Sequence, residues 1–205
     1  MTKIVCFADI HNRKIELPKG DILIFAGDLV ETGYLHEFER MAKYMNSLDY
    51  PYKIMVWGNH DRLAELYPAA VTRLFKGWNI LTNEPYYNRE HDLSFYGTPI
   101  NKRHDNWAFQ PKPEIRKQHF KMIPNETDIL ITHTPPLGIL DQWEGQTIGD
   151  DLLAEILPNK KFKYNVFGHA HEGYGQMKID NKNFVNCAIM TKDYKATNKP
   201  IIITI

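Results

Sequence analysis

The stretch that decides the fold is IVCFADIH, residues 4–11, in which an apolar run leads directly into a carboxylate and an imidazole. Short runs rich in branched and aromatic residues are typical of strands buried in a sheet. Four more such runs lie at Ile22–Phe25, Ile54–Trp57, Ile129–Thr132 and Tyr164–Phe167. Each is also followed at once by potential metal ligands. The sequence therefore predicts five buried strands that all end at polar, chemically active side chains.

Helical patterns lie between these runs. Apolar residues recur at helical spacing between residues 35 and 48, with charged residues on the other positions, which predicts an amphipathic crossover helix. Further helices are predicted over residues 61–76, interrupted by Pro68, and over residues 114–122 and 150–157. Alternating strands and helices favour an α/β fold, in which the loops at the carboxyl ends of the strands collect at one rim. We expect the five polar clusters to meet there.

The later part of the chain has a different pattern. Strands are predicted at Gln176–Ile179, Phe184–Ile189 and Ile201–Ile205, separated by turn-forming residues. Together with Leu93–Tyr96 they are expected to build a second sheet. The sequence contains no internal repeat or long linker, so residues 1–205 are predicted to form a single domain with two stacked mixed sheets flanked by helices.

Composition narrows the class of protein. Lys and Arg together number 25, as do Asp and Glu, so no overall positive field exists to gather long nucleic acid. Cys6 and Cys187 lie far apart without metal-type spacing, which indicates a reducing, intracellular setting. No apolar stretch approaches the roughly 20 residues of a membrane span, and the N-terminus lacks a signal-peptide pattern. We expect a cytoplasmic protein without a membrane partner; the oligomeric state stays open.

The polar clusters carry a mixed set of metal ligands. Asp9 and His11 are two residues apart, so at an extended strand end both would project to one side and could bind one ion. The Asp28 carboxylate has two oxygens and could bridge two ions roughly 3.5–4 Å apart. The remaining candidates are one amide oxygen and three imidazoles: Asn59, His133, His169 and His171. This mixture favours two divalent ions, Mn²⁺ first, with Fe or Zn²⁺ as alternatives. By formal charge, such a centre with a hydroxide would carry about +1, which a phosphodiester monoanion neutralises.

The complete ordered set resembles the calcineurin-like metallophosphoesterase superfamily, whose pattern of DxH, GDxxE, GNHD, a lone His and GHxH is present in full. The resemblance implies a four-layer α/β/β/α sandwich and in-line attack on phosphorus by a metal-bridging hydroxide. One ion would be held by Asp9, His11, Asp28 and His171, and the other by Asp28, Asn59, His133 and His169.

The resemblance also places His60 near the leaving group, where an imidazolium could protonate a departing alkoxide. Glu31 is the preferred partner to orient His60, with Asp61 as the alternative. Asp61 could instead cap the helix that follows it. Gly27, Gly58 and Gly168 are expected to let the chain turn sharply beside the ligands.

A narrower resemblance extends over nearly the whole chain. The stretches DILITHTPPLG, residues 128–138, and HEGYG, residues 171–175, are similar to the small metallophosphodiesterase family known from brain and its bacterial relatives. This similarity implies a phosphodiesterase for small diesters, with cyclic nucleotides among the candidate substrates. The brain members have Gly at the position of His169, which impairs their second metal site. The intact set in this chain favours full catalysis over nucleotide binding with weak turnover.

Several alternatives stay open at this point. The same centre suits a phosphomonoesterase or a protein phosphatase, although no long insertion offers a cap or peptide groove. A noncatalytic nucleotide sensor and a purely structural metal site are further alternatives. The irregular segment of residues 98–113 is typical of a binding loop, in which Arg103 could contact phosphate and Trp107 or Phe109 could stack on a base. Both aromatics could equally pack the loop onto the core.

Overall fold

Thirteen strands and five helices follow one another along residues 1–205, all of which the computed structural model describes. The strands are β1 (Lys3–Phe7), β2 (Ile22–Ala26), β3 (Tyr52–Val56), β4 (Trp78–Ile80), β5 (Glu84–Asn88), β6 (Leu93–Thr98), β7 (Ile129–Thr132), β8 (Gln142–Trp143), β9 (Gln146–Thr147), β10 (Tyr164–Phe167), β11 (Gly175–Ile179), β12 (Lys182–Asn186) and β13 (Ile201–Thr204). The helices are α1 (Leu35–Ser47), α2 (Arg62–Leu66), α3 (Pro68–Thr72), α4 (Pro113–Lys121) and α5 (Asp151–Ile156).

Two large mixed sheets form the body of the fold. The first has the order β13-β1-β2-β3-β4, with β1 to β4 parallel and β13 antiparallel at the edge. The second has the order β11-β12-β10-β7-β6-β5, in which β6, β7, β10 and β12 are parallel. A small hairpin, β8-β9, stands apart from both. No helix combines the length and apolarity that a membrane span needs.

Three apolar clusters show that the sheets are stacked between helices. Alternate residues of β1 face opposite sides, because side chains alternate along a strand. Ile4 and Cys6 pack in the cluster between the two sheets, together with Ile131 of β7 and Val185 of β12. Val5 and Phe7 belong instead to the cluster beneath α1. A third cluster joins α4 and α5 to the outer face of the second sheet. The predicted four-layer α/β/β/α arrangement is therefore confirmed.

The predicted division of strands between the sheets is partly wrong. The strand at Ile201–Thr204 does not join the second sheet; it pairs antiparallel with β1 in the first. The predicted strand over residues 184–189 ends at Asn186, because the chain then crosses toward the first sheet, where Ala188 bridges Ala8. Strands β4 and β5 and the β8-β9 hairpin were not predicted. Their runs are short or interrupted by polar residues, so they carry little periodic signal.

The helix predictions are largely confirmed. The interruption at Pro68 is real, because α2 ends at Leu66 and α3 begins at the proline. Asp150 caps α5, accepting hydrogen bonds from the N–H groups of Leu152 and Leu153. Residues 99–112 contain no helix or strand, as their composition predicts.

Candidate metal centre

The candidate ligands meet where parallel strands of both sheets end. Asp9 and His11 follow the carboxyl end of β1, and His169 and His171 follow that of β10. Asp28, Asn59 and His133 follow the carboxyl ends of β2, β3 and β7. Hydrogen bonds from main-chain N–H groups connect neighbouring loops. The Asp9 N–H donates to the Gly27 carbonyl oxygen, and the His169 N–H donates to the Asp9 carboxylate. The rim that α/β folds form at this edge of a sheet thus collects all seven candidates.

Four of the seven candidates have left-handed backbone conformations. The φ angles are +53° at Asp9, +37° at His11, +59° at Asp28 and +66° at His169. Non-glycine residues rarely adopt such angles, and those that do cluster at functional sites. The expectation that Asp9 and His11 converge along an extended strand is wrong, since β1 ends at Phe7 and a left-handed turn directs both side chains inward.

The side chains form three overlapping groups of possible ligands: the two that contain only predicted ligands are connected by a third, made of His11, Asp28 and His60. Asp9, His11 and His171 bring ligand atoms within 4.8 Å of one another, and so do Asp28, His133 and His169. The Asp28 Oδ2 lies 3.3 Å from His133 Nε2 and 3.8 Å from His11 Nε2. The Asp28 carboxylate therefore faces imidazoles of both groups, as expected of a bridging ligand.

Asn59 lies beside the second group. Its amide oxygen, Oδ1, is 3.0 Å from His133 Nε2, and the whole residue is buried. The neutral amide oxygen offers this group another metal ligand without adding a second buried negative charge. The structure thus brings the amide to the same group in which the family resemblance placed it.

Burial and neighbouring charges shift the pKa values of the candidate ligands. Burial works against ionisation of Asp28, but the His133 and His60 imidazoles outweigh it and hold the Asp28 pKa well below its usual range. Burial likewise lowers the pKa of His133, while the Asp28 carboxylate raises it, with a net pKa of about 9. For His169, burial and the nearby His133 lower the pKa to about 3. His169 is therefore neutral at physiological pH, the form in which imidazole binds metal.

The donor set fits a pair of divalent ions. Both ring nitrogens of the buried His11 lack any hydrogen-bond partner within the protein. Buried polar atoms are nearly always paired, so an unpaired imidazole among carboxylates indicates a missing cationic partner. Carboxylate, imidazole and amide oxygen are also the ligands that Mn²⁺, Fe and Zn²⁺ share.

The Asp61 side chain makes no capping hydrogen bond to α2 and is not the hydrogen-bond partner of the His60 ring. Its fully buried carboxylate accepts hydrogen bonds from four main-chain N–H groups: Asp28, Leu29, Val30 and Gly58. Burial and the neighbouring Asp28 carboxylate raise the Asp61 pKa to about 7. Asp61 therefore holds the loop after β2 against the loop after β3, and so helps to place Asp28.

At two of the three glycines beside the ligands, the main chain lies directly against a ligand side chain. Only Gly27 has a positive φ, of +97°. A Cβ atom at Gly58 would overlap the Asp28 carboxylate, and one at Gly168 would overlap the Asp9 carboxylate. The chain does turn at both positions, because the Gly58 carbonyl oxygen accepts from the Asp61 N–H and the Gly168 carbonyl oxygen accepts from the Ala170 N–H. Glycine is needed there because a side chain would overlap the ligands, and not for a positive φ.

His60 projects toward the same centre, with its Nε2 4.0 Å from Asp28 Oδ2. The expected partner residue, Glu31, contacts His60 through its main chain and not through its carboxylate. His60 Nδ1 lies 2.6 Å from the main-chain carbonyl oxygen of Glu31, whereas the Glu31 side chain is exposed and makes no hydrogen bond or ion pair. Glu31 therefore contacts His60 through its backbone, because the loop after β2 directs the Glu31 carbonyl inward and its carboxylate to solvent.

Trp107 and Phe109, the two aromatic residues considered for base stacking, lie in different environments. Trp107 packs against His60, with ring centroids 4.1 Å apart, and lines the cleft above the centre. Phe109 is buried in the cluster beneath α1. The cleft has a volume of about 540 Å³, and Arg103 also lines it. Two further lining residues, Trp143 and Tyr194, escaped the sequence analysis because neither lies in a recognisable motif.

The loop that carries Glu31 is fastened by Glu37. The Glu37 carboxylate accepts hydrogen bonds from Asn12 Nδ2, from the Thr32 hydroxyl at 2.6 Å and from the Tyr34 N–H at 2.8 Å. Burial opposes ionisation, but these donors lower the Glu37 pKa from 4.5 to about 2. The ionised carboxylate therefore stabilises the fold.

Glu37→Gln is expected to lower the free energy of unfolding by about 1–3 kcal/mol at pH 7. Because the folded pKa lies below the unfolded one, the wild-type advantage is present above pH 4.5 and disappears as the pH falls toward 2. Urea unfolding across this pH range measures it. Glu39→Gln, on the exposed side of the same helix, is the control and should change little. Equal stability of Glu37→Gln and wild type at pH 7 would contradict the assignment.

Comparisons with known proteins agree with this geometry. A family model described as calcineurin-like phosphoesterase matches residues 2–173. Human metallophosphoesterase domain-containing protein 1 is 34% identical over 230 residues, covering 98% of this chain and 70% of the human protein. A 3',5'-cyclic-nucleotide phosphodiesterase of Nostoc is 26% identical, covering 84% of this chain and 64% of that protein.

A solved structure supports the fold independently. Phosphopantetheinyl hydrolase from Mycobacterium tuberculosis superposes with a TM-score of 0.65 at 11% identity, covering 97% of this chain and 95% of that one. At such low identity the likeness shows the shared architecture alone. Family match, sequence relatives and fold nevertheless agree, and the chain accordingly belongs to the calcineurin-like phosphoesterases, metal-dependent hydrolases of phosphoester bonds.

Proposed function

We propose that this protein is a phosphodiesterase that hydrolyses small phosphodiesters with two divalent metal ions, Mn²⁺ being the first candidate. The observation that carries the proposal is the position of the Asp28 carboxylate between the two ligand groups. A shared carboxylate is what joins two metal sites into one reaction centre. The similarity to cyclic-nucleotide phosphodiesterases supports a diester substrate, with cyclic nucleotides as candidates.

In the proposed centre, each of the two groups of predicted ligands holds one ion. Asp9, His11 and His171 would hold the first ion and His133, His169 and Asn59 the second, with Asp28 common to both. When bound, the two ions supply positive charge for the phosphoryl oxygens and lower the pKa of water so that it can attack phosphorus. The protein contributes a buried, preorganised set of donors that need not rearrange when that charge develops.

His60 supplies the proton for the leaving group in this proposal. Its Nδ1 faces the Glu31 carbonyl, which can only accept a hydrogen bond, so Nδ1 carries a proton. Nε2 then points toward the centre and can carry the proton that is transferred to a departing alkoxide. The Trp107 ring packed on His60 fixes the orientation of the imidazole.

His60→Ala is expected to lower kcat about 10²–10⁴-fold for a diester with an alkoxide leaving group, such as a cyclic nucleotide. The loss should be much smaller for bis(p-nitrophenyl) phosphate, because nitrophenolate leaves without protonation. Initial rates with both substrates measure the difference. His104→Ala, an exposed histidine that lines the same cleft, is the matched control. Equal losses on both substrates would show that His60 does not act as the leaving-group acid.

The diester preference is tested by comparing bis(p-nitrophenyl) phosphate with p-nitrophenyl phosphate after the protein is loaded with Mn²⁺. We expect a higher kcat/KM for the diester. A strong preference for the monoester would replace the proposal with a phosphomonoesterase that uses the same centre. Tight nucleotide binding without hydrolysis of either compound would identify a sensor instead.

A further inference from the structure

His11 differs from His133 and His171 in how its ring is held. His133 Nδ1 lies 2.8 Å from the Ala26 carbonyl oxygen, and His171 Nδ1 lies 3.1 Å from that of Thr191. Such hydrogen bonds fix the tautomer and the ring orientation of a metal-binding histidine. His11 has no such bond on either nitrogen, although only 2% of the residue is exposed. Some other contact must set its ring orientation.

Three rings lie edge-to-face with His11, which has no hydrogen-bond partner: those of His60, at a centroid distance of 4.6 Å, of His171, at 5.5 Å, and of Tyr194. Of these, only Tyr194 is neither a predicted ligand nor the proposed acid. The Tyr194 ring lies edge-to-face with His11 at a centroid distance of 5.2 Å and with His171 at 5.1 Å. One phenol ring therefore contacts both imidazoles of the first ligand group. Edge-to-face pairs at this distance are attractive and restrict ring rotation.

The backbone at Tyr194 is strained, with φ at +54°, a left-handed conformation that costs a tyrosine free energy. The residue is also 41% exposed, so core burial does not explain why a large aromatic stands there. Strain that persists at an exposed position near a site is typical of a functional constraint.

The surrounding turn connects Tyr194 to the same ligand group by a second route. The Tyr194 N–H donates to the Thr191 carbonyl oxygen at 2.9 Å, and this oxygen is also the one that faces His171 Nδ1. The ring of Trp143, from the β8-β9 hairpin, lies 5.1 Å from that of His171 and 6.4 Å from that of Tyr194. The turn thus holds His171 through its backbone and His11 through the Tyr194 ring.

We infer that Tyr194 is a positioning residue of the first metal site, whose ring takes the place of the hydrogen bond that His11 lacks. The inference rests on the proposed two-metal function and adds to it a residue outside the family motifs. The ring, and not the hydroxyl group or the left-handed turn, is the part that sets the affinity of the site formed by Asp9, His11 and His171.

Three substitutions separate these contributions. Tyr194→Phe keeps the ring and the strain and removes the hydroxyl. Tyr194→Ala removes the ring and keeps the strain, whereas Tyr194→Gly removes both. Without metal, we expect the Gly variant to melt about 2–4 °C above the Ala variant, because glycine adopts a positive φ without penalty.

Mn²⁺ titration by calorimetry is the deciding measurement. Wild type and Tyr194→Phe should each bind two ions with similar affinities. Tyr194→Ala and Tyr194→Gly should both lose about 10–100-fold in affinity at one site and keep the other. Asp180→Gly, which relieves a φ of +52° in the turn at the far end of β11 from His171, is the control and should bind like wild type.

Two results would overturn the inference. Normal binding by Tyr194→Gly would assign the effect to the turn conformation, and weakened binding by Tyr194→Phe would assign it to the hydroxyl. Wild-type protein that binds no divalent ion would overturn the proposed function itself, so the two failures are distinguishable.

Discussion

Asp28→Asn is expected to lower kcat for bis(p-nitrophenyl) phosphate by at least about 10³-fold, which corresponds to a loss of about 4 kcal/mol in transition-state stabilisation. The amide cannot supply the charge that faces the imidazoles of both ligand groups. Asparagine tolerates left-handed backbone, so the φ of +59° at this position should persist and the loss should reflect charge alone.

Metal binding gives the second readout for this variant. We expect Asp28→Asn to bind fewer than two Mn²⁺ ions by calorimetry under conditions in which wild type binds two. Asp128→Asn is the matched control, because Asp128 immediately precedes β7, at the opposite end of that strand from His133. If Asp28→Asn retained two ions and a rate within tenfold of wild type, Asp28 would not be the shared ligand.

Asp61→Asn is expected to lower the free energy of unfolding of the metal-free protein by about 3–5 kcal/mol, since each buried main-chain donor left without an acceptor costs about 1–3 kcal/mol. The Asp61 oxygens lie 2.8 Å from the Gly58 nitrogen and 3.0 Å from the Leu29 nitrogen. An amide NH₂ in place of one oxygen would face these N–H donors instead of accepting from them. The loss is a large fraction of the 5–15 kcal/mol typical of a domain.

Urea unfolding of metal-free protein measures this loss independently of catalysis. Glu31→Gln is the control, since the Glu31 side chain is exposed on one of the loops that Asp61 fastens, and it should change stability by less than about 0.5 kcal/mol. An Asp61→Asn variant as stable as wild type would show that the four hydrogen bonds contribute little.

The five buried strands that precede the ligands, and the order of the ligands along the chain, were predictable from the sequence because both depend on local chemistry. The run at Ile4–Phe7 alternates between two apolar clusters, and such burial is encoded in residue type. The edge position of β13 was not predictable, because a four-residue strand carries no signal for which of two sheets offers it a free edge. Pairing of distant segments depends on the whole packed structure.

The candidate site likewise combines features that residue type predicts with features that depend on the packed structure. Asp9, Asp28 and His169 were identified because metal ions require particular donor atoms, and residue identity alone records those. Residue identity does not record three other features of the site: the left-handed backbones of these ligands, the contact of His60 with a main-chain carbonyl and the packing of the Tyr194 ring on His11. They depend on where separate loops meet in space. The sequence by itself thus determined the donors and their order along the chain, and only the tertiary structure decided how each donor is held, because orientation is set by contacts between residues far apart in sequence.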